Sequence, residues 1–297
     1  MSTVKKTWQV AAKTSCMLGE GPFWDDQRQR LLWVDIIAGD VHEWYPADNR
    51  HTVTHFPLQL GAVIPDDQGL FIAASDRGIV RINPATKEIT VLTDPEAHLP
   101  NNRFNDGKCD PLGRFWAGTM DAVTQQPASG SLYMLDNAGQ LSTKIRDVTC
   151  SNGMAWSADQ QTFYYIDSPT RQVHAFDFEK YSGSISNRRV VIEIPASEGL
   201  PDGMTIDRAG MLWVALWGGW KVACWDPHSG NKLDEIPLPV SQVTSCAFGG
   251  TDLSDLYVTS ARTGLGEQEQ LQQPLAGSLF VVKKVTPGGT ASQRIYI

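Results

Sequence analysis

Residues 153–166 read GMAWSADQQTFYYI: a glycine, an apolar–polar alternation, a polar turn and an aromatic-rich strand. Five further stretches repeat this unit, and its first residue is glycine in all but the last of them. The six first residues, spaced 40, 46, 46, 50 and 44 apart, are Gly21, Gly61, Gly107, Gly153, Gly203 and Ala247. A repeat of this length with several short strands in each unit is typical of a β-propeller. The sequence therefore predicts an all-β fold, a six-bladed β-propeller.

The repeats fill the chain, so we expect residues 1–297 to form a single domain. Turn-forming residues such as Asp, Asn, Ser and Gly separate the strands of each unit. The candidate loops are 94–102, 121–130 and 262–275, the last of them polar and exposed. The terminal strands near Trp8 and Ile295 are expected to share one blade and close the ring.

Tryptophan recurs at repeat-equivalent positions in four of the six units. We expect these large apolar side chains to pack the blades rather than to bind a ligand. They are Trp24, Trp33, Trp116, Trp156 and Trp213.

Composition narrows the possible partners. The formal net charge is −8, the isoelectric point is about 5.2 and there is no basic stripe, so no nucleic-acid or membrane partner is expected. The five cysteines are widely spaced without a CxxC pair, which disfavours disulfides or a zinc–thiolate site and favours buried thiols in strands. The N-terminal stretch has no apolar run of signal-peptide length, and the expected location is the cytoplasm.

Four of the residues that directly precede the repeat anchors offer oxygen ligands: Glu20, Asp106, Asn152 and Asp202. In a closed propeller the innermost strands line a central channel, so residues at one repeat phase converge at the channel mouth. Carboxylate and amide oxygens suit a hard divalent cation. We expect calcium first, with magnesium, manganese or zinc as alternatives. Asp or Asn beside Gly is also common in turns, and turn formation is the competing explanation.

Arg103 belongs to the run NNRFNDGKCD at 101–110. A partly buried arginine near the channel mouth can bind a carboxylate or sugar hydroxyls through two parallel hydrogen bonds. A surface ion pair is the alternative interpretation of this residue.

Several runs resemble the motifs of the gluconolactonase/regucalcin (senescence marker protein) family, metal-dependent sugar lactonases built on six-bladed propellers. They follow one another along nearly the whole chain with family-like spacing. These runs are LGEGPFW at 18–24, NNRFNDGKCDPLGRFWAGTM at 101–120, SNGMAW at 151–156, PDGMTID at 201–207 and SCAFGGTDLSDLYVTSAR at 245–262.

The resemblance assigns roles to individual residues. It implies Glu20, Asn152 and Asp202 as the metal ligands, and Arg103 and Asn105 as the residues that hold substrate hydroxyls. Asp202 would also act as the base that activates water.

Two further residues follow from the same resemblance. Asp106 would help to order the attacking water. Some family members carry a substrate-contacting Glu shortly after the GTM run, where this chain has Asp121. The shorter side chain is expected either to replace that contact or to leave it missing, which bears on the preferred sugar.

The predicted function is metal-dependent hydrolysis of a sugar (aldono) lactone to the aldonic acid, with this small molecule as the partner. No G-x-S-x-G run is present, which argues against a serine hydrolase. One alternative is a related ester or phosphotriester hydrolase on the same propeller, with Phe104, Trp217 and Trp220 supplying an apolar entrance. The other alternative is a non-catalytic calcium-binding propeller.

Overall fold

Each sequence unit contributes the three inner strands of one four-stranded antiparallel sheet in the computed structural model, which describes residues 7–295. The apolar–polar alternation of the units gives each strand one face toward a neighbouring sheet. The outermost strand of the sixth sheet comes from the N-terminus and is β1 (Trp8–Ala12).

The first three sheets, called blades 1 to 3, follow in chain order. The strands of blade 1, from inner to outer, are β2 (Gly19–Asp25), β3 (Arg30–Asp35), β4 (Asp40–Tyr45) and β5 (Arg50–His55). Those of blade 2 are β6 (Leu60–Pro65), β7 (Phe71–Ser75), β8 (Gly78–Ile82) and β9 (Ile89–Thr93). Those of blade 3 are β10 (Asn102–Cys109), β11 (Phe115–Asp121), β12 (Gly130–Leu135) and β13 (Leu141–Val148).

Blades 4 to 6 complete the set. The strands of blade 4 are β14 (Ser151–Trp156), β15 (Thr162–Asp167), β16 (Gln172–Glu179) and β17 (Ser184–Glu193). Those of blade 5 are β18 (Leu200–Ile206), β19 (Leu212–Trp217), β20 (Lys221–Trp225) and β21 (Lys232–Pro237). Blade 6 contains β1 and, from its inner edge, β22 (Val243–Gly249), β23 (Asp255–Ser260) and β24 (Leu279–Val282).

The innermost strands pack against one another in a closed ring, β2, β6, β10, β14, β18, β22 and back to β2. This ring confirms the predicted six-bladed propeller. We call the end of the central channel where these strands begin its upper end, and the end where they finish its lower end.

The ring closes through β1, which pairs with β24, so the prediction for Trp8 is confirmed. The prediction for Ile295 is wrong: this residue is fully buried under blades 1 to 3, in a cluster with Phe23 and Ile64. The preceding Arg294 forms an ion pair with the buried Asp25, and this charge pairing holds the C-terminal segment across the lower face instead of in a sheet.

Tryptophan packing between blades also follows the prediction, because all five repeat tryptophans are buried. Trp116 lies within a cluster built from blades 3 and 4 and donates its indole N–H to the Asp110 carboxylate at 3.0 Å. Trp213 makes the same 3.0 Å contact with Asp207. The repeat thus satisfies the polar atom of each of these two core rings with an aspartate six residues earlier.

Every innermost strand contains a register shift of the kind that a β-bulge produces. The shifts fall between Glu20 and Phe23, Leu60 and Ala62, Phe104 and Asp106, Asn152 and Met154, Pro201 and Met204, and Val243 and Ser245. A bulge adds a residue to one strand and changes the direction of the side chains around it. These shifts therefore control which side chains enter the channel.

Glycine at the repeat anchor allows adjacent inner strands to approach closely. A Cβ on Gly61 would lie 2.7 Å from the carbonyl oxygen of Asn105, and one on Gly153 would lie 2.8 Å from that of Asp202. Such distances exclude any larger side chain without a shift of the backbone.

The segment predicted as the loop 262–275 is partly helical, since Glu267–Gln272 form α1. The Glu269 carboxylate accepts a hydrogen bond from the N–H of Gly266 at 2.8 Å, which caps the N-terminus of this short helix. Single turns of 3-10 helix span Ser168–Thr170 and Ala196–Glu198. Within residues 7–295, no helix has the length and apolar character needed to cross a membrane.

Candidate functional site

The carboxylates that precede the repeat glycines share one local geometry. Glu20 accepts a hydrogen bond from the N–H of Gly21 at 3.0 Å, and Asp106 accepts one from the N–H of Gly107 at 2.7 Å. Asp202 accepts the corresponding bond from its own following glycine. All three carboxylates are buried. The repeated Asp/Glu–Gly pair thus holds each carboxylate beside its own strand, in the channel.

These three carboxylates are close enough to affect one another's ionisation. Burial raises the pKa of Glu20, and the charges of Asp202 and Asp106 raise it further. Burial and the charge of Asp106 likewise raise the pKa of Asp202. The convergence predicted for blades 1, 3 and 5 therefore occurs, and it concentrates negative charge in a site from which water is largely excluded.

Asp106 lies deeper in the channel than the others. Glu20 and Asn152 are each the second residue of their strand and Asp202 the third, whereas Asp106 is the fifth residue of β10 and borders a cavity at the lower end. The sequence repeat placed the anchor of blade 3 at Gly107. The register shift of β10 falls two residues earlier, at Asn105, so this anchor assignment was wrong.

Asn105 and Arg103 form a hydrogen-bonded pair in the upper channel. The guanidinium Nη1 of Arg103 donates to Asn105 Oδ1 at 2.8 Å, and Asn105 Nδ2 donates to the carbonyl oxygen of Ser151 at 2.9 Å. Burial lowers the pKa of Arg103, against the opposing charges of neighbours that include Glu20. Arg103 is therefore a buried cation beside the carboxylates, and the surface ion pair considered for it is excluded.

Asn152 is held with its carbonyl oxygen toward this cluster. Its Nδ2 donates to the hydroxyl oxygen of Ser168 at 2.8 Å, while its Oδ1 lies 3.3 Å from Asn105 Nδ2. The contact with Ser168 keeps the amide nitrogen away from the centre. An oxygen donor from blade 4 thus faces the Arg103–Asn105 pair, on the strand that packs against the strand of Asp202.

These donors fit a hard cation better than a soft one. In the described part of the chain, no three His, Cys, Asp or Glu side chains are grouped to hold a metal by themselves. A site here consequently needs the amide oxygen of Asn152 beside the carboxylates of Glu20 and Asp202. Two carboxylates and an amide oxygen are typical calcium ligands, and a cation would offset the repulsion between the two acids.

Asp121 has a different environment. Its carboxylate accepts hydrogen bonds from the N–H groups of Val123 at 2.9 Å and Thr124 at 2.7 Å, and from the Thr124 hydroxyl. These bonds, chiefly the one from the hydroxyl, lower the pKa of Asp121 to about 2. The side chain therefore organises its own loop, and its substrate contact stays a prediction.

The sequence reasoning missed a sulfur pair at this site. Cys150 Sγ lies 3.6 Å from Asn152 Nδ2, 3.8 Å from Asn105 Nδ2 and 3.7 Å from Met120 Sδ. The prediction of buried thiols in strands is correct for Cys109, Cys224 and Cys246. Cys16 is buried but lies outside the strands, and Cys150 is half-buried. Its position directly before the SNG run was the available signal.

A buried acid near Arg103 was also missed, because it lies in the predicted loop 94–102. Glu96 accepts hydrogen bonds from the hydroxyls of Thr119 and Tyr133, both at 2.9 Å, and from Asn102 Nδ2 at 2.8 Å. These contacts fix the start of β10, and with it the backbone that carries Arg103.

Phe104 does not belong to an apolar entrance. It is 2% exposed and packs edge-on against Tyr133 with ring centroids 6.0 Å apart. Trp220 is 44% exposed in the loop after β19 at the upper end, so the tryptophan part of that interpretation remains open.

Comparison with known proteins identifies the family. The model of the SMP-30/gluconolactonase/LRE-like region matches residues 18–262. The chain belongs to the SMP-30/gluconolactonase family. The recognition made from the motifs is thereby confirmed.

The sequences of known relatives align with nearly the full length of this chain. A Bacillus subtilis protein provisionally named sugar lactone lactonase YvrE is 39% identical over 280 residues, covering 94% of this chain and 95% of that protein. Bovine (Bos taurus) regucalcin is 39% identical over 286 residues, covering 95% of each chain. The crystal structure of a calcium-binding protein, regucalcin, from Agrobacterium tumefaciens superposes with a TM-score of 0.92 at 29% identity, covering 100% of both chains.

Proposed function

We propose that this protein is a metal-dependent lactonase that hydrolyses a sugar (aldono) lactone to the open-chain aldonic acid. The observation that carries the proposal is the convergence of Glu20, Asn152 and Asp202 beside the buried Arg103–Asn105 pair. Membership of the SMP-30/gluconolactonase family and the names of its relatives support the same reaction class.

Glu20, Asn152 and Asp202 would hold the divalent cation, and calcium is the ion that their oxygen donors suit best. The calcium-binding Agrobacterium relative supports this choice. A bound cation supplies Lewis-acid polarisation of the lactone carbonyl and stabilises the negative charge that develops on its oxygen.

Arg103 and Asn105 would position the sugar. Arg103 donates two of its hydrogen bonds inside the protein, to Phe104 O at 3.0 Å and to Asn105 Oδ1, and a guanidinium has five N–H donors. Donors therefore remain for the hydroxyl oxygens of a substrate. Because Asn105 bridges Arg103 and Asn152, the substrate would be held next to the metal ligands.

Asp202 is the proposed general base. Its carboxylate would accept a proton from water, the water oxygen would bond to the carbonyl carbon, and the ring C–O bond would break as the ring oxygen gains a proton. Burial favours this role because it raises the proton affinity of the carboxylate, although a bound cation opposes that effect. Asp106, one layer deeper, would help to order the water, and Asp121 remains the proposed replacement for the family glutamate.

The test is acid release from a panel of aldonolactones (glucono, galactono, xylono and arabinono), followed with a pH indicator. Chelator-stripped protein would receive calcium, magnesium, manganese or zinc, with metal alone as the spontaneous control. Metal-dependent hydrolysis above that control is expected, and its ranking would identify the sugar. Calcium binding without turnover of any lactone would overturn the lactonase proposal in favour of a binding propeller, and turnover restricted to an organophosphate would favour the ester-hydrolase alternative.

A further inference from the structure

A cavity of about 170 Å³ lies at the lower end of the channel, on the far side of Asp106 from the candidate active site. Its walls come from the later parts of the innermost strands, and residues 290–293 of the C-terminal segment border it. Neither the lactonase mechanism nor the family motifs assign it a role.

Lys108 brings a cation to this cavity. Its ammonium group donates a hydrogen bond to the carbonyl oxygen of Met204 at 2.8 Å, which reaches from blade 3 to blade 5. Met204 O is the hydrogen-bond acceptor for this group among residues 7–295, whereas an ammonium has three donors. Two of its donors therefore remain for water or for a ligand that enters the cavity.

The neighbouring Asp106 adds the opposite charge. It borders the same cavity, and one of its oxygens accepts the N–H of Gly107. A carboxylate has further acceptor positions and repels a second anion. The pair therefore suits a ligand with a single negative charge for Lys108 and a hydroxyl donor for Asp106.

Size and polarity limit the ligand further. A cavity of about 150 Å³ can hold benzene, which has six heavy atoms, so this one accommodates a molecule of about that size. Ser157, Thr205 and Ser245 place polar groups in the wall, and Phe23 and Ile64 place apolar groups there. A small polar molecule with a short carbon skeleton matches this lining.

We propose that the lower cavity is a binding site for a short 2-hydroxycarboxylate, with the carboxylate on Lys108 and the hydroxyl donating to Asp106. The site shares Asp106 with the proposed lactonase centre, but the proposal does not depend on the lactonase reaction.

The C-terminal segment forms part of the wall of this site. Arg294, directly after the cavity-lining residues 290–293, pairs with Asp25 and donates to the carbonyl oxygen of Asp66 at 2.9 Å. These contacts join the segment to the last residue of β2 and to the turn that follows β6.

The test is calorimetric titration of the metal-free full-length protein with L-lactate, which has six heavy atoms and both required groups. Pyruvate, which lacks the hydroxyl, and propane-1,2-diol, which lacks the charge, are the comparison ligands. We expect lactate to bind, pyruvate to bind more weakly, and the diol not to bind.

Variants locate the binding. Lys108→Met should weaken lactate binding roughly ten- to a hundredfold, the range expected for loss of a hydrogen bond to a charged group. Lys144→Met, a half-buried lysine on the outer strand of the same blade, is the matched control and should bind as the wild type does. Arg103→Ala should bind lactate as the wild type does, because Arg103 lies in the upper channel, away from the lower cavity. Loss of binding in this variant would place the ligand in the upper site instead.

Four results would overturn the proposal: absence of lactate binding to the wild type, equal binding of the diol, lactate binding that survives Lys108→Met, or loss of lactate binding in Arg103→Ala. The ligand comparison uses the wild type alone, so it decides the question even if Lys108→Met fails to fold.

Discussion

Replacing Asp202 with asparagine is expected to stabilise the metal-free protein while removing its stabilisation by calcium. Burial and the charge of Asp106 raise the pKa of Asp202, so its ionised form is disfavoured in the fold. An acid of raised pKa binds protons more tightly when folded, and its contribution to stability falls as pH rises above the unfolded value of about 3.9. At pH 7 the neutral asparagine avoids that cost.

The size of the calcium effect follows from chain length. An unfolding entropy of about 2.1 cal/mol/K per residue over the 297 residues gives about 0.6 kcal/mol/K, so 1 kcal/mol shifts Tm by about 1.6 °C. Calcium at about 100 times its Kd stabilises the folded state by about 2.7 kcal/mol, or about 4 °C. If Asp202→Asn raises Kd about 100-fold, the same calcium concentration gives only about 0.4 kcal/mol, or about 0.7 °C.

The assay is thermal unfolding of chelator-stripped protein with and without calcium, with lactone turnover measured in parallel. The exposed-surface substitution Asp48→Asn is the control and should leave the calcium shift unchanged. A metal-free Asp202→Asn protein less stable than the metal-free wild type would refute the charge argument. A full calcium shift in this variant would remove Asp202 from the ligand set.

Three further predictions concern single residues. Arg103→Ala should raise KM roughly ten- to a hundredfold through loss of charge-assisted hydrogen bonds while the calcium shift in Tm persists; an unchanged KM would exclude Arg103 from substrate binding. Gly153→Ala should lower the free energy of unfolding by about 1–3 kcal/mol, because the new methyl group would lie 2.8 Å from the carbonyl oxygen of Asp202. The control is Gly266→Ala, where the nearest neighbour lies at 3.6 Å. A Tm loss in Gly153→Ala no larger than that of the control would contradict the prediction. Burial lowers the pKa of His42 to about 4, so on acidification the unfolded state binds the proton before the folded state does. The free energy of unfolding of the wild type should therefore fall by about 3 kcal/mol between about pH 6.5 and pH 4. Unfolding titrations across this range should show a smaller loss for His42→Phe, and an identical loss would show that other groups cause it.

The proposed site combines groups that oppose one another without a ligand. Glu20 and Asp202 repel each other, and Arg103 offsets part of that charge from the side. The same repulsion that destabilises the metal-free protein gives a divalent cation its affinity. Stability and metal binding are therefore expected to change in opposite directions when either acid is neutralised.

Local pattern was sufficient to predict the blades. Alternating apolar residues and glycine-containing turns specify strands, the 40- to 50-residue repeat specifies a propeller, and the repeat tryptophans fill its core. These features depend on neighbours within a few positions, or on identical units packing in identical ways. For that reason the fold, the inner strands and the oxygen residues near the channel were accessible from sequence.

The exact depth and orientation of the site residues depended on tertiary structure. A one-residue bulge at Asn105 moved the phase of blade 3 and placed Asp106 nearer the lower cavity. Contacts with Ser168 and Asn105 orient the Asn152 amide, although both partners lie well away from it in sequence.

The termini show the same division between sequence and tertiary structure. The sequence by itself predicted that strands near Trp8 and Ile295 share a blade, and the strand at Trp8 joined blade 6 as predicted. Only the folded chain brought Asp25 within reach of Arg294 and directed the C-terminal segment under the channel. Repeat periodicity encodes strands and their order, whereas a charge pair between residues far apart in sequence depends on the tertiary structure that brings them together.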